Sequence, residues 1–131
     1  MTRNTDNLTR PSRADIPRAE TARELLRHTV ATVAYRGGKA VRGAPAKFAT
    51  FRVSKTSRTP VEILAHIGDL FDWALSMAKG AQTWRNSTPL PWNQEVARFF
   101  AALEAFDAYL ASDEPLGCRS NACSRDRSPT P

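Results

Sequence analysis

A histidine flanked by two carboxylates is the group in this sequence best suited to chemistry. His66 lies in the apolar segment TPVEILAHIGDLFDWAL, with Glu62 before it and Asp69 after it at helical spacing. On a helix this spacing places the three side chains along one edge. Such an imidazole can ligate a metal ion, act as a general base, or occupy a core with its nitrogens hydrogen-bonded. The spacing alone favours the core histidine and leaves the other two roles open.

The segment around His66 is predicted to be a helix with well-defined ends. Thr59, Pro60 and Glu62 have the pattern of a capping box with proline at the first helical position. Lys79 followed by Gly80 is typical of a helix end.

A helical wheel predicts which face of this helix is buried. The centre of that face consists of Ile63, Ile67, Leu70, Ala74 and Met77. His66 then lies on the flank of the face, with Glu62 and Asp69 at the polar border. We therefore expect the imidazole to point toward a helical interior, with carboxylates close by.

Two further helices are predicted, and no strand pattern is apparent, so the fold class is all-α. The first runs from about Arg18 to about Tyr35, as far as the glycine pair at 37–38 or slightly beyond, and leaves His28 exposed. The glycine pair either ends this helix or kinks it where another backbone approaches closely. The third helix has an apolar face formed by Val96, Phe99, Phe100, Leu103, Phe106 and Leu110.

The sequence leaves the environment of Asp107 open and predicts an anchoring role for two loop phenylalanines. Asp107 falls within the apolar face of the third helix, either as a buried acid with a partner or pointing outward at a frayed last turn. In the loop at 43–58, Phe48 and Phe51 are expected to anchor the chain onto the core.

Positive charge is concentrated in one segment. Residues 36–58 contain seven basic and no acidic side chains, whereas residues 59–117 contain three basic and eight acidic ones. Arg52, Lys55 and Arg58 could therefore bind an anionic partner, or the segment could be a solvated loop. Nucleic acid is not the expected partner, because stacking aromatics and nucleic-acid motifs are missing.

The expected organisation is one domain between two polar ends. Residues 1–17 are interpreted as a disordered leader without a signal-peptide core, residues 18–116 as the helical bundle, and residues 117–131 as a disordered basic tail. No apolar run approaches membrane-spanning length. The interpretation is a cytoplasmic protein with no membrane partner, in which Cys118 and Cys123 are reduced.

Three stretches resemble the DinB/YfiT-like superfamily: ELLRHTVATVAYRGGKAV, FRVSKTSRTPVEILAHIGDLFDWALSMA and PLPWNQEVARFFAALEAFDAYLAS. The resemblance covers roughly residues 20 to 116. It implies an up-down four-helix bundle, often dimeric, in which three histidines commonly hold a divalent metal such as zinc or nickel. Characterised members include thiol-dependent S-transferases and other metal-dependent enzymes. His66 matches the ligand position of the second helix, with Asp69 and Glu62 as candidate outer-sphere partners.

The sequence departs from that family at the other two ligands. No histidine follows His66, so the HxxxH pair of the later helix has no counterpart. A protein zinc site needs three or four donors, and the expectation is that a metal is not stably bound. We expect a DinB-like bundle that lacks its last helix.

The tail suggests how that helix was lost. Bases compatible with residues 118–131, read in a neighbouring frame, can encode an apolar lead into a helix, which suggests a frameshift or truncation. Apolar surface left by the missing helix would lead to a homodimer through the bundle, a partly molten chain or aggregation. The competing interpretation is a three-helix bundle that needs no further helix. The protein, if active, would be a metal-dependent transferase or hydrolase; the alternative is a non-enzymatic binding module that uses residues 36–58.

Overall fold

The computed structural model describes residues 18–117 and consists there of three α-helices with no strand. The helices are α1 (Arg18–Val41), α2 (Pro60–Ala78) and α3 (Trp92–Ala111), and a short 3-10 helix, Ala46–Thr50, lies between α1 and α2. The all-α prediction is confirmed. The predicted leader, Cys118, Cys123 and the rest of the tail lie outside the described residues.

Helix α3 occupies the centre of the fold. It packs against both α1 and α2, whereas α1 and α2 hardly touch each other. The core is built mainly from large side chains of α3 with one or two from each neighbour: Val30, Leu64, Trp92, Phe99, Leu103, Phe106 and Leu110. None of the helices described is both long and apolar enough to cross a bilayer.

Helix α1 extends slightly beyond the glycine pair, within the range that the sequence allowed. It passes through Gly37 and Gly38 and ends at Val41. A Cβ on Gly37 would lie 2.6 Å from Cζ of Phe99, so the missing side chain makes room for the α3 phenyl ring. The glycine pair therefore marks a close approach between helices rather than a helix end.

Helix α2 has the predicted ends but a different buried face. Thr59 and Glu62 form both hydrogen bonds of the capping box, and Gly80 adopts a φ of 82° just after the helix. The predicted centre is wrong at Ile63 and Leu70, which are 46% and 38% exposed.

At its contact with α3, α2 buries Leu64 and several small or polar residues, while the predicted Ile67 and Ala74 are only partly buried against the core. The α2 residues buried there are Leu64, Ala65, Gly68, Asp69 and Ala78. A Cβ on Gly68 would lie 3.1 Å from the guanidinium carbon of Arg98. A helical wheel ranks side chains by apolar character alone. It therefore could not predict that the face of α2 with Gly68 and Asp69 packs against Arg98.

The remaining expectations have mixed outcomes. His28 is exposed, as predicted. Phe48 packs edge-on against Trp92 with ring centroids 5.7 Å apart, but Phe51 is 58% exposed and does not anchor the loop. Asp107 is neither fully buried nor frayed, because it forms a two-point ion pair with Arg27 on the surface between α1 and α3.

The guanidinium of Arg23 fastens the start of α1 to the end of α3. It donates to the carbonyl oxygens of Leu110 at 3.3 Å and Ser112 at 2.8 Å, and also contacts those of Tyr109 and Glu114. The Leu110 carbonyl lies in the last turn of α3, where helix carbonyls have no partner within the helix. The Tyr109 carbonyl also accepts from the backbone N–H of Ser112 at 3.2 Å, so the arginine adds to the C-terminal cap.

Candidate functional site

A polar cleft of about 390 Å³ lies beside the N-terminal half of α2. Its walls come from the loop before α2, from α2 itself and from residues 86–89. Its charged and donor side chains include those of Arg52, Arg58, Glu62, His66, Asp69 and Asn86. The residues that the sequence singled out therefore meet in one place, except for Lys55, which is exposed outside the cleft wall.

His66 is half-buried and forms part of the cleft wall rather than the hydrophobic core. Its ring packs edge-on against Trp84, with centroids 5.9 Å apart, and Trp84 packs in the same way against Trp73. Within residues 18–117 the imidazole makes no hydrogen bond, so its nitrogens are available to a molecule in the cleft.

Asp69 is buried beneath the cleft and is fully occupied by bonds to α3 and to Ser87. One carboxylate oxygen accepts from Arg98 at 2.5 Å, and the other accepts from the Ser87 backbone at 3.0 Å. Burial alone would raise the pKa of Asp69, but the hydrogen bonds from Arg98 and Ser87, with the charge of Arg98, lower it below its ordinary value.

Arg98 holds the floor of the cleft together. It also donates to the Asp72 carboxylate at 2.9 Å, the Ser87 hydroxyl at 2.9 Å and the Ala65 carbonyl at 3.3 Å. Burial disfavours the cation, yet its bonds to Asp69 and Asp72 keep the pKa of Arg98 above its ordinary value. The floor is therefore a network in which each charge has a partner.

The Glu62 carboxylate caps the start of α2 and binds an arginine of the preceding loop. Its carboxylate accepts from the Thr59 backbone N–H at 2.7 Å and from Arg52 at 3.3 Å. The Thr59 backbone hydrogen bond is the main reason that the pKa of Glu62 is lowered, and the nearby charges of Arg52 and Arg58 act in the same direction.

The described residues do not fit a metal site. Both carboxylates beside His66 already accept hydrogen bonds, Glu62 from the helix cap and Asp69 from Arg98 and Ser87. Between residues 18 and 117, no group of three or more His, Cys, Asp and Glu side chains is placed to hold a metal ion. Among the imidazole and carboxylate groups of the cleft, His66 alone has no hydrogen bond within residues 18–117, and a catalytic zinc ion requires about three protein donors.

Two arginines give the cleft its cationic groups. Arg52 is held by the Ser57 carbonyl at 2.6 Å and by Glu62. Arg58 lines the cleft and, among the described residues, makes no hydrogen bond or ion pair of its own. Its guanidinium donors are therefore free to bind an anion.

Sequence reasoning missed the residues that organise the cleft. Arg98 and Ser87 were not singled out, and neither was Glu95, which is completely buried and lies 3.6 Å from Arg98. A usable signal was the opposite charge of Glu95 and Arg98 one helical turn apart, next to the apolar face of α3.

Comparison with protein-family models finds no match for the chain, and neither curated proteins nor solved structures give one. The resemblance to the DinB/YfiT-like superfamily therefore stays a prediction from the residues quoted above.

Proposed function

We propose that this chain is a non-enzymatic binding module that holds an anionic group, such as a phosphate monoester, in the cleft beside α2. The observation that carries the proposal is the arrangement of Arg58 and His66. Both line the cleft, and neither has a hydrogen-bond partner within residues 18–117.

The carboxylates of the cleft do not stand against this proposal. Glu62 and Asp69 are negative, but both already accept hydrogen bonds, and Arg52 and Arg98 are each within ion-pair distance of one of them. The uncommitted donors in the cleft therefore come from Arg58, His66 and the amide of Asn86. A guanidinium binds phosphate oxygens through two parallel hydrogen bonds, which favours a phosphate over a monovalent halide.

The experiment titrates the protein with inorganic phosphate and with a phosphoserine peptide while NMR follows the imidazole signals of His66. We expect saturable binding that shifts His66 and leaves His28 unchanged, because His28 is exposed on α1. Arg58→Gln should weaken binding about tenfold, the loss of one charge-assisted interaction.

Lys55→Gln is the matched control, since it removes the same charge from the same loop outside the cleft. Equal weakening by the two substitutions would mean diffuse surface attraction and would contradict the proposal. A short DNA duplex serves as a further arm: binding that depends steeply on salt and is lost with Lys55 would assign the basic segment to nucleic acid instead.

The DinB-like enzyme remains a second prediction and rests on the sequence resemblance, with His66 as the one matching ligand position. Metal analysis of the purified protein and of His66→Ala tests it. We expect less than one metal ion per chain in both, because the carboxylates beside His66 are occupied by other bonds. Stoichiometric zinc or nickel that disappears in His66→Ala would restore the metal-dependent transferase or hydrolase.

The predicted homodimer through the bundle is tested by sedimentation velocity over a range of protein concentrations. A sedimentation coefficient that rises with concentration would support a dimer. A sedimentation coefficient that stays constant and corresponds to a mass of 14.5 kDa would show a monomer.

A further inference from the structure

A second depression lies on the other side of α2 and differs in character from the polar cleft. It is a groove of about 460 Å³ between α1 and α2, the two helices that hardly touch each other. Its floor and walls are mainly apolar and aromatic, and include Val33, Ile63, Ile67, Trp92 and Phe99. Ligand sites in proteins commonly have this volume and this kind of lining, and occur between the helices of bundles.

The groove has one charged side chain, Arg36 of α1, and no acidic one. Arg36 is exposed at the edge of the apolar lining, and within residues 18–117 no carboxylate pairs with it. The groove therefore presents an apolar bed with a cation at its border, which is complementary to a molecule with an apolar chain and an anionic head.

Residues 1–17 and 118–131 do not have the composition to fill this groove. Residues 1–17 and 118–131 are composed mainly of polar and charged amino acids, without a repeating apolar pattern. Burying polar side chains against this lining would cost free energy unless each found a hydrogen-bond partner.

A second copy of the chain is also a poor match at the charged edge. The exposed apolar side chains Ile63 and Leu70 make α2 the natural element to pack into a partner's groove. All three carboxylates of α2 are already bonded within their own copy, Glu62 to Thr59 and Arg52, and Asp69 and Asp72 to Arg98. Packing of α2 onto the groove would therefore cover Arg36 without bringing it a free acid.

We infer that the groove between α1 and α2 binds a single-chain amphiphile with a carboxylate head, such as a fatty acid. The alkyl chain lies along Ile63, Ile67 and Phe99, and the carboxylate meets Arg36. This inference concerns a different surface from the anion cleft and does not depend on the function proposed for that cleft.

The test is isothermal titration calorimetry of the full chain with sodium dodecanoate below its critical micelle concentration. We expect saturable binding of one molecule per chain, and weaker binding of octanoate because less apolar surface is buried. Dodecyltrimethylammonium, with the same chain and the opposite charge, should bind at least about tenfold more weakly.

Substitutions at two positions test where the carboxylate and the alkyl chain of the ligand bind. Arg36→Gln should weaken dodecanoate binding about tenfold, and Arg36→Lys should restore most of it. Ile63→Asp should abolish binding, and the exposure of Ile63 lets the variant keep its fold, which circular dichroism verifies. Lys39→Gln is the matched control, because Lys39 lies on the same helix over the Tyr35 ring and not in the groove.

Several outcomes would overturn the inference. One is equal binding of dodecanoate by Arg36→Gln and Lys39→Gln, and another is binding without saturation. A dimer that dodecanoate neither binds nor dissociates, and that Ile63→Asp splits into monomers, would show that the groove is covered by a second copy.

Discussion

Asp69 and Arg98 connect α2 to α3 through a buried ion pair that was not foreseen from the sequence. The side chain of Asp69 is only 6% exposed, and that of Arg98 only 19%. Removing one member of such a pair leaves the other charge buried and destabilises the fold. Asp72 binds the same guanidinium but is 52% exposed, so water can take its place.

Asp69→Asn should lower the free energy of unfolding by about 2 kcal/mol, because a neutral amide binds Arg98 and the Ser87 N–H more weakly than a buried carboxylate does, although Asp72 and Glu95 still neutralise the guanidinium. Asp72→Asn, the control on the same guanidinium, should cost about 0.5 kcal/mol. Urea denaturation followed by circular dichroism measures both. Similar losses in the two variants would show that burial of Asp69 has no energetic importance.

Acid should destabilise the protein through the same carboxylate. The pKa of Asp69 in the fold lies below its ordinary value, because burial, which raises it, is outweighed by bonds from Arg98 and Ser87. A group with a lowered folded pKa stabilises the fold at neutral pH, and that stabilisation disappears as the pH falls through the folded pKa. The loss should develop below about pH 4.

The measurement is the urea midpoint from neutral pH down to about pH 3. The wild-type midpoint should fall more steeply than that of Asp69→Asn, which no longer has this carboxyl to titrate. Glu62, whose pKa is lowered mainly by the Thr59 backbone N–H, contributes with the same sign. Parallel curves for wild type and Asp69→Asn would contradict the assignment to Asp69.

At the scale of single residues, the sequence identified the neighbours of His66 but not their roles. The spacing of Glu62, His66 and Asp69 correctly placed them on one side of α2, because side-chain direction on a helix follows from spacing alone. It could not show that Asp69 faces α3, because that depends on where Arg98 lies along another helix. Arg58 and Arg52 were likewise found from local charge, while their position beside His66 depends on the folded loop.

At the scale of the elements, Gly37 and Gly38 decide how closely α1 approaches α3. Local rules allowed either a helix end or a close approach, and only the packing partner separates these alternatives. The phenyl rings of Phe99 and Phe100 occupy the space beside the two glycines.

Gly37→Ala should destabilise the protein by about 1 kcal/mol or more, since the new methyl group would meet the buried Phe99 ring and the gain in helix propensity only partly offsets this. Gly38→Ala is the matched control: its Cβ would lie 3.4 Å from Phe100, close to an ordinary contact. It should be neutral or stabilising by up to about 1 kcal/mol. Thermal melts of the two variants measure the difference, and equal melting temperatures would contradict the packing argument.

The sequence predicted where the helices lie better than it predicted which face of each helix is buried. The cap at Thr59 and the terminator at Gly80 are local and were read correctly. The orientation of α2 about its axis leaves Ile63 exposed and buries Asp69 against Arg98. It depends on packing against α3 and could not be predicted from apolar periodicity.

At the scale of the whole molecule, α1 is the least secured of the three helices. Among the helices it packs mainly on α3, to which Arg23 and the exposed Arg27–Asp107 ion pair also hold it. Helix α2, by contrast, has contacts with α3, the buried Asp69–Arg98 pair and the 3-10 helix. Local opening should therefore detach α1 before it separates α2 from α3.

Native-state hydrogen exchange should show faster exchange in α1 than in the centres of α2 and α3. Arg23→Gln should accelerate exchange in α1 further, because it releases the carbonyls at the end of α3, and should leave α2 nearly unchanged. Arg36→Gln in the ligand-free protein is the control on the same helix. Uniform exchange across the three helices would show that the molecule opens as one unit.

The bonds from Arg23 to the last turn of α3 also bear on how the protein is made. The partners of Arg23 include Ser112, 89 residues later, and about 70 residues separate the end of α1 from the end of α3. At a synthesis rate of roughly 5–20 residues per second, the emerging first helix waits roughly 4–14 s for the surface it packs on. During that interval the α1 side chains that later pack on α3, Val30 among them, have no surface of α3 to cover them. Helix α1 is therefore translated before the helix that buries it, and we expect it to be a segment of the nascent chain that a chaperone protects.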